Sequence, residues 1–213
     1  LVARFGIQPF IATLAMMVFA RGAAKYISGG KKISQGIETP EGFKYLDFPA
    51  FMDMLNAKIF YDNIAVVTLI FLACVLLSWI LLSRLRPGRY LYAVGGNEDA
   101  ARLSGVPVGF IKILAYAMSG FFAAMAGICQ AAQETQGDPE AGVSYELTAI
   151  AIVVIGGTSL LGGRGGILLT LLGTLTIGYL EKILSINAVG EAGRLMLTGI
   201  IIVSAVLLQR GRK

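Results

Sequence analysis

Histidine is absent from the 213 residues, and cysteine occurs only twice, as Cys74 and Cys129, both inside apolar stretches. Lacking imidazole, the chain has no histidine general base and no zinc site of the usual ligand types, and two thiols within apolar runs make no disulfide framework. Charge is scarce too. Asp, Glu, Lys and Arg supply 15% of the residues, against about a quarter in a soluble domain, which excludes an ordinary soluble core. Hydrophobic residues take the vacated share, 56% of the chain, and raise the mean hydropathy to +0.74. The basic balance, a net charge of +5, is not a nucleic-acid footprint, because the Lys and Arg residues are not gathered into an aromatic-interleaved patch. In a membrane chain that charge reports topology instead. No cofactor is expected.

The apolar residues cluster into segments 7–27, 63–83, 112–132, 146–161, 166–185 and 195–209. A helix rises 1.5 Å per residue, so roughly twenty apolar residues cross a ~30 Å hydrocarbon layer. The predicted fold class is all-α: a polytopic transmembrane helix bundle of about six spans, forming one membrane domain over residues 1–213. Leu1 is not an initiator, and the first apolar run starts almost at once without a cleavable signal pattern, so the chain is expected to be a fragment.

Alternation of spans fixes the side of every loop. The loop over residues 84–111 carries Arg84, Arg86, Arg89 and Arg102 with Lys112 just beyond, and the tail carries Arg210, Arg212 and Lys213, which places both in the cytoplasm. The acidic loop with Glu134, Asp138 and Glu140 then lies outside, as does the long loop over residues 28–62. Arg21, Lys25, Lys31 and Lys32 run against this bias; Arg21 and Lys25 share a helix face, and snorkelling to the outer interface is the expected reason. Within the outer loop, Phe51, Met52, Leu55 and Ile59 have the spacing of an interfacial helix. Ser119, Ala123, Gly127 and Ala131 along one span, and Thr170, Thr174 and Gly178 along another, form the small-residue stripes that let membrane helices approach closely.

Two segments carry more. The first is Asn97-Glu98-Asp99-Ala100-Ala101-Arg102-Leu103-Ser104-Gly105, followed by Val106-Pro107. Asn97 can cap a helix, Glu98 and Asp99 complement its dipole, Gly105 suits a left-handed stop and Pro107 blocks continuation. A short helix with one large apolar residue, Leu103, cannot be there to fill a core; it is either a docking surface or a solvated connector. The second segment joins the fourth and fifth apolar stretches and places Gly156, Gly157, Gly162, Gly163, Gly165 and Gly166 within a dozen residues. Gly157 and Gly162 have the spacing of a phosphate-binding loop, but Gly163 and Arg164 stand where Lys and Ser or Thr are needed, so the chain is not expected to hydrolyse ATP. Broken or tightly turned backbone at a membrane face is the expected structure, and a plain turn is a simpler reading than a substrate site.

At these segments the sequence resembles the permeases of monosaccharide ATP-binding-cassette importers, the ribose, xylose and galactose group. The similarity runs through Pro9-Phe10-Ile11-Ala12-Thr13-Leu14, Arg21-Gly22, Gly29-Gly30, Tyr92-Ala93-Val94-Gly95-Gly96-Asn97, Ala100-Ala101-Arg102-Leu103-Ser104-Gly105, Tyr145-Glu146-Leu147 and Val154-Ile155-Gly156-Gly157-Thr158-Ser159-Leu160. The resemblance implies a multi-pass subunit of the bacterial inner (plasma) membrane, paired with a second permease subunit as a homodimer or heterodimer. It also implies a cytoplasmic ATPase and a periplasmic sugar-binding protein as partners. It makes residues 97–105 the coupling helix that sits in a groove of the ATPase, with Ala101 and Gly105 as the small residues allowing close approach. Glu98, Ala101 and Gly105 echo the acidic-Ala-Ala and Gly loop of such permeases, although Asp99, not Glu98, directly precedes Ala100-Ala101. An earlier Gly-rich part known in family permeases is not in this sequence, and no substrate-contacting residue is identified.

Rival readings are a permease of the same superclass for an amino acid or other small polar solute, a secondary transporter, and an intramembrane enzyme. A secondary transporter would place ionisable residues deep in its spans, whereas Arg21, Lys25, Glu181 and Lys182 all fall near segment ends. An enzyme would need a nucleophile and base that the scattered carboxylates do not supply.

Overall fold

The computed structural model describes residues 2–34, 36–39, 42–45, 49–59 and 64–210. Its helices are α1 (Val2–Phe5), α2 (Pro9–Ser28), α3 (Ala50–Asn56), α4 (Val66–Arg84), α5 (Arg86–Gly96), α6 (Glu98–Leu103), α7 (Val108–Glu134), α8 (Tyr145–Ile155), α9 (Ile167–Ile186) and α10 (Glu191–Arg210). Short strands pair antiparallel: β1 (Ile33–Ser34) with β6 (Gln136–Gly137), β2 (Gly36–Thr39) with β3 (Gly42–Tyr45), and β4 (Lys58–Ile59) with β5 (Ile64–Ala65). The fold is all-α in its membrane part, as its composition predicts.

Among the described residues four helices are long and apolar enough to cross a membrane: α2, α4, α7 and α9. Pro9 opens α2, where its fixed φ suits the first turn and its missing N–H costs nothing. Gly29 and Gly30 close it in left-handed conformation, their N–H groups reaching the Tyr26 and Lys25 carbonyls. Helix α4 is apolar on every face, the pattern of a lipid-embedded helix, and at its end the Arg84 guanidinium lies 5.5 Å from the centre of the Trp79 ring. Helix α10 is 20 residues long. Helix α8 is different. It has 11 residues, about 16 Å of helix, half the hydrocarbon thickness. The apolar run continues to Leu161, but Gly157 takes a left-handed φ of +75° and ends the helix, with Gly157 and Thr158 donating to the Val154 and Val153 carbonyls.

The chain groups into two compact units, one of residues 1–74 with 112–142, the other of residues 75–111 with 143–213. In the second unit α8 packs on both α9 and α10, and Ala151, Val154 and Ile177 are buried. Gly156 and Gly173 set this packing. A Cβ on Gly156 would lie 2.6 Å from the Leu169 carbonyl oxygen and 2.8 Å from the Thr170 Cα; one on Gly173 would collide with the Ile152 carbonyl oxygen. In lipid, burying apolar surface between helices gains little, so backbone approach at small residues is what holds such a pair. Thr170 belongs to the stripe read from the sequence; Gly178 does not serve it, since among the described residues, its own helix backbone apart, no atom lies within 4 Å of its would-be Cβ. The Ser119, Ala123 and Gly127 stripe on α7 is exposed.

In the loop over residues 28–62 the expected helix forms as α3, but Ile59 falls outside it, in β4. The chain turns extended at Ala57, with ψ 146°, and the helical spacing of Ile59 is therefore coincidental. The start of the second apolar segment, Asn63, lies outside the described residues.

Candidate functional site

The site is built from the turn that follows α4. Gly88, in the first turn of α5, lies so close to α4 that a Cβ would meet the Leu82 Cα at 2.6 Å, and α5 folds back from there. At Asn97, α5 ends and α6 begins. The Asn97 N–H donates to the Ala93 carbonyl, closing α5, while its side-chain Oδ1 accepts from the Ala100 N–H at 2.9 Å, capping α6. Glu98 and Asp99 occupy the first turn of α6, and Arg102 donates to Glu98 at 3.0 Å. Gly105 takes φ +79°; its N–H reaches the Arg102 carbonyl and that of Val106 reaches Ala101, a complete glycine stop. Helix α6 is thus fixed at both ends by local bonds.

The outward surface of α6 consists of Asp99, Ala100, Arg102, Leu103 and Ser104, and Leu103 is 91% exposed. Ala101 is not part of it. Only 4% exposed, its methyl packs within the chain, so the small residue expected to meet an ATPase faces inward and a bulky group there would disturb the fold before it touched any partner. The exposed large apolar side chain, Leu103, takes its place as the informative position.

The glycine-rich segment lies beside this unit. Gly157, Gly162 and Gly163 all have positive φ, at +75°, +91° and +72°, and Ser159 N–H bonds to the Arg164 carbonyl across the turn at 2.9 Å. Gly162 and Gly163 press on the end of α5. A Cβ on Gly95 would lie 2.8 Å from the Gly163 nitrogen, one on Gly162 would lie 2.5 Å from the Gly95 carbonyl oxygen, and one on Gly163 would lie 2.7 Å from the Gly96 Cα. The Tyr92 hydroxyl donates to the Gly165 carbonyl at 3.0 Å from the same face of contact, and Gly165 itself is crowded by Thr158. These glycines serve backbone packing. A phosphate-binding loop turns its N–H groups toward an open cradle; here that space is taken by α5. The sequence singled out both segments, and Tyr92 within a stretch of family resemblance, but not the contact among them, which joins residues 73 positions apart.

On the other unit, β1 and β6 tie the loop after α2 to the turn after α7. Lys25 meets Glu140 at 2.7 Å and Lys32 meets Asp138 at 2.8 Å. Two of the cations that run against the charge bias, Lys25 and Lys32, therefore have acidic partners, and such a pair is compatible with Lys25 reaching an interface. The hydrogen bond from Lys32, aided by the Glu140 backbone N–H, holds the Asp138 carboxyl below the usual carboxylate range; the bond from Lys25 does the same for Glu140. Bonding to Asp138 raises Lys32. The Lys25–Glu140 pair is solvent-screened and weak, whereas Asp138 is largely covered, with 13% of its side chain exposed.

Among the described residues no three His, Cys, Asp or Glu side chains are grouped as metal ligands. The recess along Ile11, Leu14, Ala15, Val18 and Phe19 is an apolar helix stripe, with nothing to hold a polar solute.

These features define a multi-pass membrane protein with a short, locally capped helix between two of its spans. Residues 1–206 match the family described as branched-chain amino acid transport system / permease component, and the chain belongs to that permease family. It is 37% identical to the ribose import permease protein of Escherichia coli K12 over 100% of its own length and 64% of that protein's. It is 40% identical to the ribose import permease protein of Bacillus subtilis 168, covering 99% of this chain and 62% of the relative. Identity to the L-arabinose transport system permease protein of Escherichia coli K12 is 36%, over 98% and 60% of the two chains. The chain thus spans less than two thirds of the length of these curated relatives, all sugar permeases by name. As a permease of this kind it is a multi-pass protein of the bacterial inner (plasma) membrane. No solved structure matches it significantly.

Proposed function

We propose that the chain is the transmembrane permease part of an ATP-binding-cassette importer that moves a monosaccharide into the cytoplasm. The observation carrying this reading is that relatives aligned over nearly the whole chain, at 36 to 40% identity, are named for ribose and L-arabinose. The broader family description favours a second reading, an amino-acid permease. In either case the chain is no enzyme, and energy comes from a separate ATPase, since Gly163 and Arg164 replace the phosphate-binding Lys and hydroxyl.

The ATPase docks on α6, residues 97–105, through Asp99, Ala100, Arg102 and Leu103. What supports this reading is that α6 is bonded at both ends and presents an almost fully exposed leucine among polar residues, a surface a partner's groove could take. A second permease subunit, identical or related, completes the pore within the bilayer, and a periplasmic sugar-binding protein delivers solute to the outer face. Gly156, Gly157, Gly162, Gly163 and Gly165 form the break between α8 and α9.

The deciding measurement is uptake. The full-length permease, reconstituted in liposomes with its ATPase and binding protein, is expected to take up radiolabelled ribose or L-arabinose in an ATP-dependent, saturable way and to leave leucine and valine outside. Uptake of the amino acids without the sugars replaces this reading with the second one.

A further inference from the structure

The contact between the end of α5 and the glycine-rich turn has no counterpart in the readings given so far, which treat α6 as a docking element and the turn as a break. Three observations bear on what it does. First, α5 and α6 share Asn97 as a joint cap, so α6 cannot shift without carrying the end of α5. Second, that end touches the turn through bare backbone: Gly95 and Gly96 against Gly162 and Gly163, with no side chain between them to flex. Third, the turn is continuous with α8 and α9, which are themselves in backbone contact at Gly156 and Gly173. Packed backbone has little compressibility, so displacement at one side of such a contact appears at the other.

We propose that Gly95, Gly96, Gly162 and Gly163, with the Tyr92–Gly165 hydrogen bond, form the joint through which a displacement of α6 is passed to α8 and α9. The inference rests on the reading that α6 meets the ATPase. It gives the glycines a duty that no single-segment motif contains: they are positioning residues, and they are glycines because two main chains meet where a Cβ would not fit. Gly88 holds the opposite end of α5 against α4, so α5 acts as a short strut anchored at both ends. The Tyr92 hydroxyl keeps the turn seated, since its bond to the Gly165 carbonyl restrains sliding of the turn along α5.

The test uses the full-length permease reconstituted with its ATPase and binding protein, and reads three quantities: ATPase bound, ATP hydrolysed, and sugar imported per ATP. Gly95→Ala adds one methyl aimed at the Gly163 nitrogen; Gly178→Ala adds the same methyl on α9 where, among the described residues, no atom outside its own helix backbone lies within 4 Å. Gly95→Ala is expected to keep the ATPase bound and hydrolysing while import per ATP falls by about tenfold, in the range seen for mutations along coupling elements. Gly178→Ala keeps all three. Tyr92→Phe, which removes one hydroxyl and adds nothing, covers the case in which Gly95→Ala fails to assemble, and is expected to lower the same ratio with the ATPase still bound. Leu103→Glu is the separate probe of docking and is expected to release the ATPase itself. An unchanged import-to-hydrolysis ratio in Gly95→Ala, or in Tyr92→Phe where Gly95→Ala does not assemble, overturns the joint. So does loss of ATPase binding in Gly95→Ala, which would make the contact a mere support for α6. Retention of the ATPase by Leu103→Glu instead removes the docking reading beneath it, and that result is distinct from either of the others.

Discussion

At the scale of single residues, glycine carries two different burdens in this chain. At Gly29, Gly105 and Gly157 it supplies a left-handed backbone that stops a helix. At Gly88, Gly95, Gly156 and Gly173 it supplies absence of a side chain, so that two main chains can touch. The first duty is legible in sequence because it depends on neighbours: Asn97, the acidic pair and Gly105 announce α6 without any knowledge of the rest. The second is not, because a touching main chain leaves no mark on neighbouring residues, and apart from Gly88, whose partner is Leu82, the partners are distant in sequence. Tyr92 and Gly165 are 73 positions apart, and Lys25 and Glu140 are 115 apart. Gly173 and Gly178 give the test at this scale. Gly173→Ala forces α8 and α9 apart against the Ile152 carbonyl and is expected to destabilise the protein by about 1–3 kcal/mol, as overpacking does. Gly178→Ala, in open space, is expected to be neutral or to gain up to ~1 kcal/mol in helix propensity. Thermal unfolding of both variants in detergent checks the pair; equal melting temperatures would remove the packing role of Gly173.

Among elements, the pairing of β1 with β6 is where charge and fold are linked, and its pH dependence has a definite sign. Asp138 and Glu140 have lowered pKa values, so their contribution is full above the ordinary carboxylate pKa and is lost as pH falls through the lowered folded values. Lys32 is raised, so its contribution is full below the ordinary lysine pKa and is lost as pH rises through the folded one. The pairing should therefore be constant from about pH 5 to about pH 10 and loosen on either side. Spin labels on Lys31→Cys and Thr135→Cys are expected to show a narrow distance distribution across that plateau, broadening toward pH 3. Asp138→Asn should broaden it already at neutral pH, and a distribution indifferent to both changes would mean the ion pairs hold nothing. Element lengths were less legible than element identities. The fourth apolar run reads as a span because Leu160 and Leu161 extend it, yet the helix stops at Ile155, where two successive glycines outweigh the apolar residues beyond them. Ile59 misled in the other direction, matching a helical period that the backbone abandons at Ala57.

For the molecule as a whole, the sides deduced from charge are an expectation that labelling can check. Loops that alternation puts outside touch through β1 and β6, and those it puts inside touch through Gly95 and Gly163. A cysteine at Ser104 is expected to resist an impermeant maleimide in intact cells, and one at Glu134 to react. The reverse pattern would invert the topology and, with it, the side on which an ATPase could meet α6. Family membership was legible because the motifs extend through most of the chain; the solute was not, because no polar side chain within the described spans singles one out.

The strut also sets a rule of register. Gly88 and Gly95 are seven residues apart on α5, which is close to two full turns, so both lie on one face of that helix. Adding or deleting a single residue between them would swing one glycine about 100° away from its contact while leaving the other in place. Connecting loops ordinarily absorb insertions and deletions freely. This one, though it lies between spans and looks in sequence like a linker, has a length that is counted, and in divergent descendants of this chain the spacing from Gly88 to Gly95 should outlast the identities of the residues between them.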